Sequence, residues 1–442
     1  MSVFAPGDLQ NLVQTGLASP PDSEDGTVRV HKRRLNRSSD SEESYIPLSP
    51  SSLSSGDSHA DIPQVLDSFA TIKYLGFTEE KASSLWSSWT RERQDYDRDL
   101  GIIPFIELII GHVEPNHEDD AWTDDDEEWY RFMASHGINQ ELQAAIMDPR
   151  FKEVRLRASC FYWIKDTLET RYLGLEDIQQ ASYERVRALQ RHRQRPEGSR
   201  SGQPPVADEP APTVTSEAAA EAANAIPGFT TLFRGMSTAR MDHLRSSGDS
   251  PVNALDFQKS HESGSDFVPR NNVGIFFSVD REIAVLYALY AKRRHKDHSA
   301  CLVQIRVPNS AIESLSHEQL QRIYWDPTGN DKTWEKVVFN CRQRTTLPRE
   351  FRSRFSQAIL LIGTIARRPN HFYQRLDSYE QITPNEVMRN ADGRPAVQYV
   401  WCHQEGSYFV EDFCLEGPQT FPVSRQELAQ YRREGDDGQN EE

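Results

Sequence analysis

Residues 273–290 read VGIFFSVDREIAVLYALY and join a short apolar strand pattern to an amphipathic helix pattern. The apolar run ends at Ser278, and Asp280 stands where a helix N-cap is expected. Behind it, apolar residues recur at the spacing of one helix face: Ile283, Leu286, Tyr287 and Tyr290. This passage from strand to helix predicts an α/β domain.

Further strand patterns surround this passage between residues 226 and 416. FTTLFRG at 229–235 predicts a strand that ends in Arg-Gly, followed by a short helix. Other apolar runs predict the remaining strands: Cys301–Val307, Val337–Phe339, Ala358–Ile365 and Val397–Cys402. We expect a mixed α/β domain of about four or five strands.

The segment 61–195 carries helical periodicity and almost no strand pattern. Thr78 and Asn139 are candidate N-caps, and Gly174 is expected to end a long helix that begins near Arg150. Another helix is expected over Glu176–Gln194. Three tryptophans of the segment 61–195 are expected in a helical core: Trp86, Trp89 and Trp163.

Three segments have compositions typical of chains that bury no core. Residues 1–60 predict a disordered arm, residues 196–225 a disordered linker and residues 417–442 an acidic tail. The expected fold class is therefore α+β, with an N-terminal all-helical unit followed by a mixed α/β domain. Within the arm, HKRRLNR at 31–37 is either a nuclear-targeting patch or a solvated charge run.

Charge and cysteine content restrict the function classes. A net charge of -17 argues against general nucleic-acid binding, which needs a basic face. The acidic run 117–128 predicts a solvated loop, and the arginines of 185–200 either pair with it or face water. Five scattered cysteines favour reduced thiols in the cytoplasm or nucleus, and no metal site is expected.

The N-terminus has no basic segment followed by an apolar run, so no secretory signal is expected. No apolar stretch approaches the roughly 20 residues needed to cross a bilayer. A soluble protein is therefore expected. The helical unit is a candidate docking site for a protein partner.

Common enzyme motifs are missing from the sequence, including a phosphate-binding glycine loop and a GxSxG nucleophile turn. Three polar positions stand out instead. Arg234 ends the first predicted strand, Ser278 follows the aromatic pair Phe276-Phe277, and Glu335 precedes the apolar run at 337–339.

This order resembles the ADP-ribosyltransferase fold, which has an Arg on its first strand, a Ser in an aromatic strand before a helix, and a Glu entering a later strand. LFRG at 232–235, GIFF at 274–277 and IAVLYA at 283–288 look like an uncharacterised branch of that fold found in filamentous fungi. The resemblance covers about residues 229–365 and is carried by short motifs.

The resemblance implies an NAD site. Arg234 would hold the pyrophosphate, Phe276 or Phe277 would stack on nicotinamide, and Ser278 would orient the site. Glu335 would be catalytic, because a carboxylate can stabilise the oxocarbenium-like state of nicotinamide–ribose cleavage. An enzyme of this kind would transfer or hydrolyse ADP-ribose.

The sequence departs from the family pattern at two places. Ser278-Val279-Asp280 replaces the usual Ser-Thr-Ser, and Lys336 stands where a second glutamate is usual. Glu411 is a competing carboxylate. The alternative function is a non-catalytic interaction or regulatory protein on a degenerate scaffold of this fold, with Arg234, Ser278 and Glu335 in ordinary structural positions.

Overall fold

The computed structural model describes residues 1–20, 26–31, 35, 59–94, 103–115, 119–193, 227–244, 266–268, 274–295, 299–414, 417–423 and 427. The predicted linker 196–225 lies outside these residues, as do most of the basic cluster 31–37 and most of the tail 417–442. The described chain is mixed α/β, as the sequence predicts.

The N-terminal segment is folded where the structure describes it, so the prediction of a disordered arm is wrong for residues 1–20 and 26–31. It contains helix α1 (Pro6–Gln14) and strand β1 (Thr27–His31), which pairs antiparallel with β2 (His59–Pro63). Each local apolar pattern in these elements is short, and their apolar residues are buried in one cluster with Leu175 and Ile178. Leu35, inside the basic cluster, is also buried there.

Seven helices follow, bounded as α2 (Phe69–Leu75), α3 (Glu79–Gln94), α4 (Phe105–Gly111), α5 (Asp126–Ser135), α6 (Gln140–Ile146), α7 (Lys152–Arg155) and α8 (Cys160–Arg193) among the described residues. The Asn139 cap is confirmed, since its side chain accepts a hydrogen bond from the Leu142 amide at 2.9 Å. Trp89 and Trp163 are buried in the core of this unit, and Trp86 is half-buried against it.

Gly174 does not end a helix, because α8 runs through it without interruption. A glycine inside a helix costs about 1 kcal/mol relative to alanine. Burial on both sides of it offsets this cost: Leu168 faces the helical core, while Leu175 and Ile178 face the N-terminal cluster. Near the end of α8, Arg185 pairs with Asp8 of α1 at 2.8 Å. The partner of this arginine is therefore α1, and not the acidic run 117–128 or solvent.

The C-terminal half forms a seven-stranded sheet from the described strands β3 (Phe229–Ser237), β4 (Gly274–Ser278), β5 (Ala300–Pro308), β6 (Leu320–Ile323), β7 (Leu360–Thr364), β8 (Val397–Cys402) and β9 (Gln419–Pro422). The strand order is β6-β7-β8-β4-β3-β5-β9, and β6 and β7 are the parallel pair. The predicted acidic tail therefore begins with an edge strand, β9, which pairs with β5.

The helices of this half are α9 (Thr238–Leu244), α10 (Arg281–Arg294), α11 (Asn309–Glu313), α12 (Thr333–Arg342), α13 (Arg349–Ser356), α14 (Asn370–Gln374) and α15 (His403–Phe413). The strand predicted at Val337–Phe339 is wrong, because these residues lie within α12. The buried residues Trp334, Val337, Val338 and Cys341 have the i, i+3, i+4, i+7 spacing of a helix face.

The two halves of the protein share one core through α10. Tyr290 of α10 is buried, and its hydroxyl donates a hydrogen bond to the Ile146 carbonyl at 3.1 Å. One apolar cluster includes Trp163 of α8 together with Phe233 and Leu302 of the sheet. The apolar face of the helical unit is therefore covered by this chain itself.

Buried ion pairs reinforce the same contact. Asp166 of α8 pairs with Arg294 at 2.7 Å and with Arg240 at 2.9 Å. Burial by itself would raise the pKa of the Asp166 carboxyl, but the two guanidiniums hold it below its usual range. Arg171 of α8 also donates two hydrogen bonds to the Arg294 carbonyl.

The acidic run 117–128 is anchored where it is described, from residue 119 onward, and is not simply a solvated loop. Asp126 pairs with the buried Arg155 at 2.6 Å, and Asp120 accepts a hydrogen bond from the Phe161 amide at 3.0 Å. Burial raises the pKa of Asp120 above its ordinary value. Trp122 stacks against His371, and Arg375 lies 4.6 Å from its ring.

None of the helices in the described part of the chain combines the length and the apolar character required to span a membrane.

Candidate functional site

Arg234 and Ser278 lie on neighbouring strands but on opposite faces of the sheet. Phe233 of β3 is the direct partner of Ser278 on β4, so these two side chains share a face. Arg234 is the next residue along β3, and successive side chains alternate between faces. The structure therefore brings the two backbones together and separates the two side chains.

The hydroxyl of Ser278 is occupied by backbone groups. It donates to the Val397 carbonyl at 3.1 Å and accepts from the Asp280 amide at 3.1 Å. Asp280 in turn accepts from the Asn390 side chain at 3.2 Å. These hydrogen bonds hold the start of α10 against the start of β8, so the role of Ser278 is structural.

The two phenylalanines also divide between the faces. Phe277 is buried on the Arg234 face, where its ring makes an edge contact with Trp401 at 5.8 Å. Phe276 is half-buried on the Ser278 face and packs against the cluster beneath α12. As the alternation predicts, the two rings cannot both line one cleft.

Glu335 lies in the first turn of α12, so the prediction that it immediately precedes a strand is wrong. Its side chain is buried, and one oxygen, Oε1, lies 3.0 Å from Lys332 Nζ. The other, Oε2, is buried and accepts no hydrogen bond from a described residue. At this position the carboxylate also faces the positive end of the helix dipole.

The position of α12 separates Glu335 from Arg234. Trp334 donates a hydrogen bond from Nε1 to the Thr364 carbonyl at 2.8 Å, which seats α12 over β6 and β7. Three strand spacings, about 14 Å, lie between β7 and β3. Because α12 packs against Leu361 and Val400, it covers the face opposite Arg234.

Helix α15 covers the face that carries Arg234. Phe409 and Val410 of this helix pack with Leu232 and Met236, the neighbours of Arg234 on the same side of β3. The competing carboxylate, Glu411, lies in α15 and is exposed. The three residues selected from the sequence, Arg234, Ser278 and Glu335, therefore do not converge on one cleft.

Gly235, the glycine after Arg234, sets the contact between β3 and α10. A Cβ atom built at this position would lie 1.8 Å from the Ala284 carbonyl oxygen and 2.7 Å from the Ala288 amide nitrogen. Only glycine permits this approach without moving the helix. The Arg-Gly pair of the motif thus has a packing role in this chain.

A buried ionic network that the sequence did not identify surrounds Asp266. Its carboxylate accepts from Arg342 Nε at 2.7 Å, from Gln398 Nε2 at 2.7 Å and from the Ala366 amide at 2.9 Å. Arg157, from the helical unit, lies 3.5 Å away. The local sequence does not reveal this network, because the partners of Asp266 are distant in the chain.

The same arginine connects the two halves of the protein. Arg157 donates to the Tyr287 hydroxyl and, at 3.2 Å, to the Ala366 carbonyl. Burial raises the pKa of the neighbouring Tyr373 above its ordinary value. The network is therefore a structural junction of charged groups on the α12 face of the sheet.

Two surface cavities in the described structure lie away from these residues. One, of about 610 Å³, is formed by the acidic region before and within α5, including Glu114, Asp119, Glu128 and His136. The other, of about 420 Å³, is an apolar groove along α1 between Pro6 and Pro20. Neither is lined by a residue of the sheet domain.

Four exposed arginines lie on α13 or just before it, and we call this group the arginine surface. Its members are Arg344 after α12 and Arg349, Arg352 and Arg354 of α13. Arg354 donates from Nε and Nη2 to Gln321 Oε1 at 3.0 and 2.8 Å, which joins α13 to β6. Phe351 and Phe355 anchor the inner side of α13.

The arginine surface has no carboxylate partners among the described residues. None of its four arginines forms an ion pair in that part of the chain. Arg352 and Arg354 donate instead to neutral oxygens. In contrast, Arg367 and Arg394 nearby pair with Glu153 and Asp392.

Comparison of this chain with protein-family models, with curated proteins and with solved structures gave no match.

Proposed function

We propose that this chain is a non-catalytic interaction protein that binds an acidic segment of a partner protein through the arginine surface. The scaffold is the degenerate ADP-ribosyltransferase-like fold that the motifs at 232–235 and 274–277 suggest. The observation that carries the proposal is the set of four exposed arginines without carboxylate partners among the described residues, in a chain of net charge -17.

The positions of the motif residues support a non-catalytic function. Transfer of ADP-ribose needs the pyrophosphate-binding cation and the catalytic carboxylate around one ligand. Arg234 and Glu335 are on opposite faces of the sheet, and the Ser278 hydroxyl is already bonded to two backbone groups. Lys336 lies 3.7 Å from Glu350 and so takes part in a surface ion pair.

As a docking site for a protein partner, the arginine surface is a better candidate than the helical unit. The apolar face of the helical unit already packs on α10 and the sheet. Guanidinium groups, in contrast, bind carboxylates in a bidentate manner and lose less entropy on binding than lysine side chains. Arg349 and Arg352 are three residues apart and lie on one side of α13, so they can contact neighbouring carboxylates of one segment.

Charge favours an acidic peptide over a nucleic acid. A nucleic acid is a long polyanion, and its phosphates beyond the arginine surface would meet a protein of net charge -17. A short acidic segment can be confined to the four arginines.

Binding is tested by fluorescence anisotropy with the full chain and a labelled peptide of alternating Glu and Ser. We expect the triple variant Arg349→Gln, Arg352→Gln, Arg354→Gln to bind the peptide roughly tenfold more weakly. Exposed ion pairs contribute about 0.2–1 kcal/mol each, so three of them contribute about 0.6–3 kcal/mol, and a tenfold change corresponds to about 1.4 kcal/mol. We also expect native binding to weaken as salt is raised.

The matched control changes three exposed arginines elsewhere by the same net charge: Arg91→Gln, Arg187→Gln and Arg394→Gln. The control should retain native affinity. If both triple variants bound the peptide equally weakly, net charge alone would explain the loss of affinity, and the proposal would be overturned. Tighter binding of a single-stranded oligonucleotide of the same length would overturn it in favour of a nucleic-acid surface.

The proposed lack of catalytic activity is tested separately, by incubating the full chain with NAD and measuring nicotinamide release. We expect no release above the buffer rate and no binding heat on titration with NAD, because Arg234 and Glu335 cannot contact one dinucleotide from opposite faces. Release that disappears in Glu335→Gln but persists in Glu350→Gln would restore the enzyme hypothesis.

A further inference from the structure

Two histidines face each other on the outer side of the N-terminal strand pair. His31 is the last residue of β1 and His59 is the first residue of β2, and they are direct cross-strand partners. Their neighbours Val30 and Ala60 point to the other side and are buried. The histidine rings are therefore on the solvent side, where both are half-buried.

The separation of the two rings suits shared coordination of one metal ion. Their centroids are 5.0 Å apart, with an interplanar angle of 70°. A zinc–nitrogen bond of about 2.0–2.1 Å places the ion about 3.2 Å from each imidazole centroid. Two such rings at a ligand–metal–ligand angle of about 100–110° have centroids about 4.9–5.2 Å apart.

The chemistry of the pair selects the class of ion. Neutral imidazole is a good ligand for zinc, copper and nickel, whereas magnesium and calcium prefer oxygen ligands. No group of three His, Cys, Asp or Glu side chains in the described ranges is arranged to hold a metal. Within the described residues such a site has two protein ligands, and water can complete its coordination.

We propose that His31 and His59 form an open site for a divalent late first-row transition ion, with Zn²⁺ as the reference ion. The chain leaves β1 at His31 and enters β2 at His59, so the ion cross-links the two strands at the base of the segment 32–58. The site is independent of the arginine surface.

The test is calorimetric titration of the untagged full chain with Zn²⁺, with Mg²⁺ as the comparison ion. Other histidines contribute background, so the readout is the number of zinc equivalents bound. We expect His31→Asn, His59→Asn and the double variant each to lose the same single equivalent, or to bind it roughly tenfold or more weakly. Both side chains face outward, and far-UV circular dichroism checks that each variant is folded.

The control is His317→Asn, which removes an exposed histidine from the sheet domain. It should retain the equivalent that the strand-pair variants lose. The proposal is overturned if either single variant binds zinc as the native chain does. It is also overturned if the double variant loses two equivalents, which would indicate two separate sites, or if Mg²⁺ binds as Zn²⁺ does.

Discussion

Gly235→Ala is expected to destabilise the protein by about 3 kcal/mol or more. The added methyl group would lie 1.8 Å from the Ala284 carbonyl oxygen, and its neighbours are the backbone of α10, which cannot rotate away as a side chain can. The helix would have to move off β3. It would then disturb the core that α10 shares with the helical unit. Urea unfolding followed by circular dichroism measures the loss.

Gly111→Ala is the matched control, since a Cβ atom there meets nothing within 4 Å at the end of α4. This change should be neutral or stabilise by up to about 1 kcal/mol, because alanine loses less backbone entropy in a helix. If Gly235→Ala unfolded at the same urea concentration as the native chain, the close approach of α10 to β3 would not describe the protein in solution.

Local sequence pattern predicted the central strands of the sheet because each is a short apolar run with a clear stop. β3, β4, β5, β7 and β8 all lie where such runs predict them. Residues 337–339 are three apolar residues that show no period by themselves. Together with Trp334 and Cys341 they have the period of a helix.

The N-terminal strand pair could not be predicted in the same way. Val28 and Val30 alternate with polar residues, but over only one strand, and their partners Ala60 and Ile62 follow after a long polar segment. Their burial depends on α8, more than a hundred residues later. Such long-range packing overrides a composition that is otherwise typical of disorder.

The register of β3 and β4 keeps the predicted site residues apart. The sequence placed Arg234 and Ser278 at the ends of two strands, and the strands do pair. A shift of one residue nevertheless sends a side chain to the other face of a sheet, and the sequence alone does not give the pairing register. Asp266 was missed because its partners Arg342 and Gln398 are 76 and 132 residues away.

Fragment experiments are affected by the shared core. A chain cut within residues 196–225 would expose the face of α10 that carries Tyr290, which is buried against the helical unit. An isolated sheet domain would also lose Arg157, a partner of Asp266 and of Tyr287. Binding measurements on this protein therefore need the full chain.

Asp266→Ala is expected to cost about 3–5 kcal/mol of unfolding free energy. The change removes the carboxylate that neutralises Arg342 and Arg157, and it leaves the Gln398 amide and the Ala366 backbone amide without their acceptor. Removing one partner of a buried pair leaves a desolvated charge. That loss is larger than the net contribution of the pair itself.

Because Arg157 belongs to the helical unit and Arg342 to the sheet domain, the loss should also loosen the junction between them. In hydrogen exchange, we expect faster exchange in α10 and in the start of β8 in Asp266→Ala than in the native chain. Asp392→Ala, which breaks the exposed pair with Arg394, should change stability by less than about 1 kcal/mol. If the two variants had equal stability, the Asp266 network would contribute no more than a surface pair.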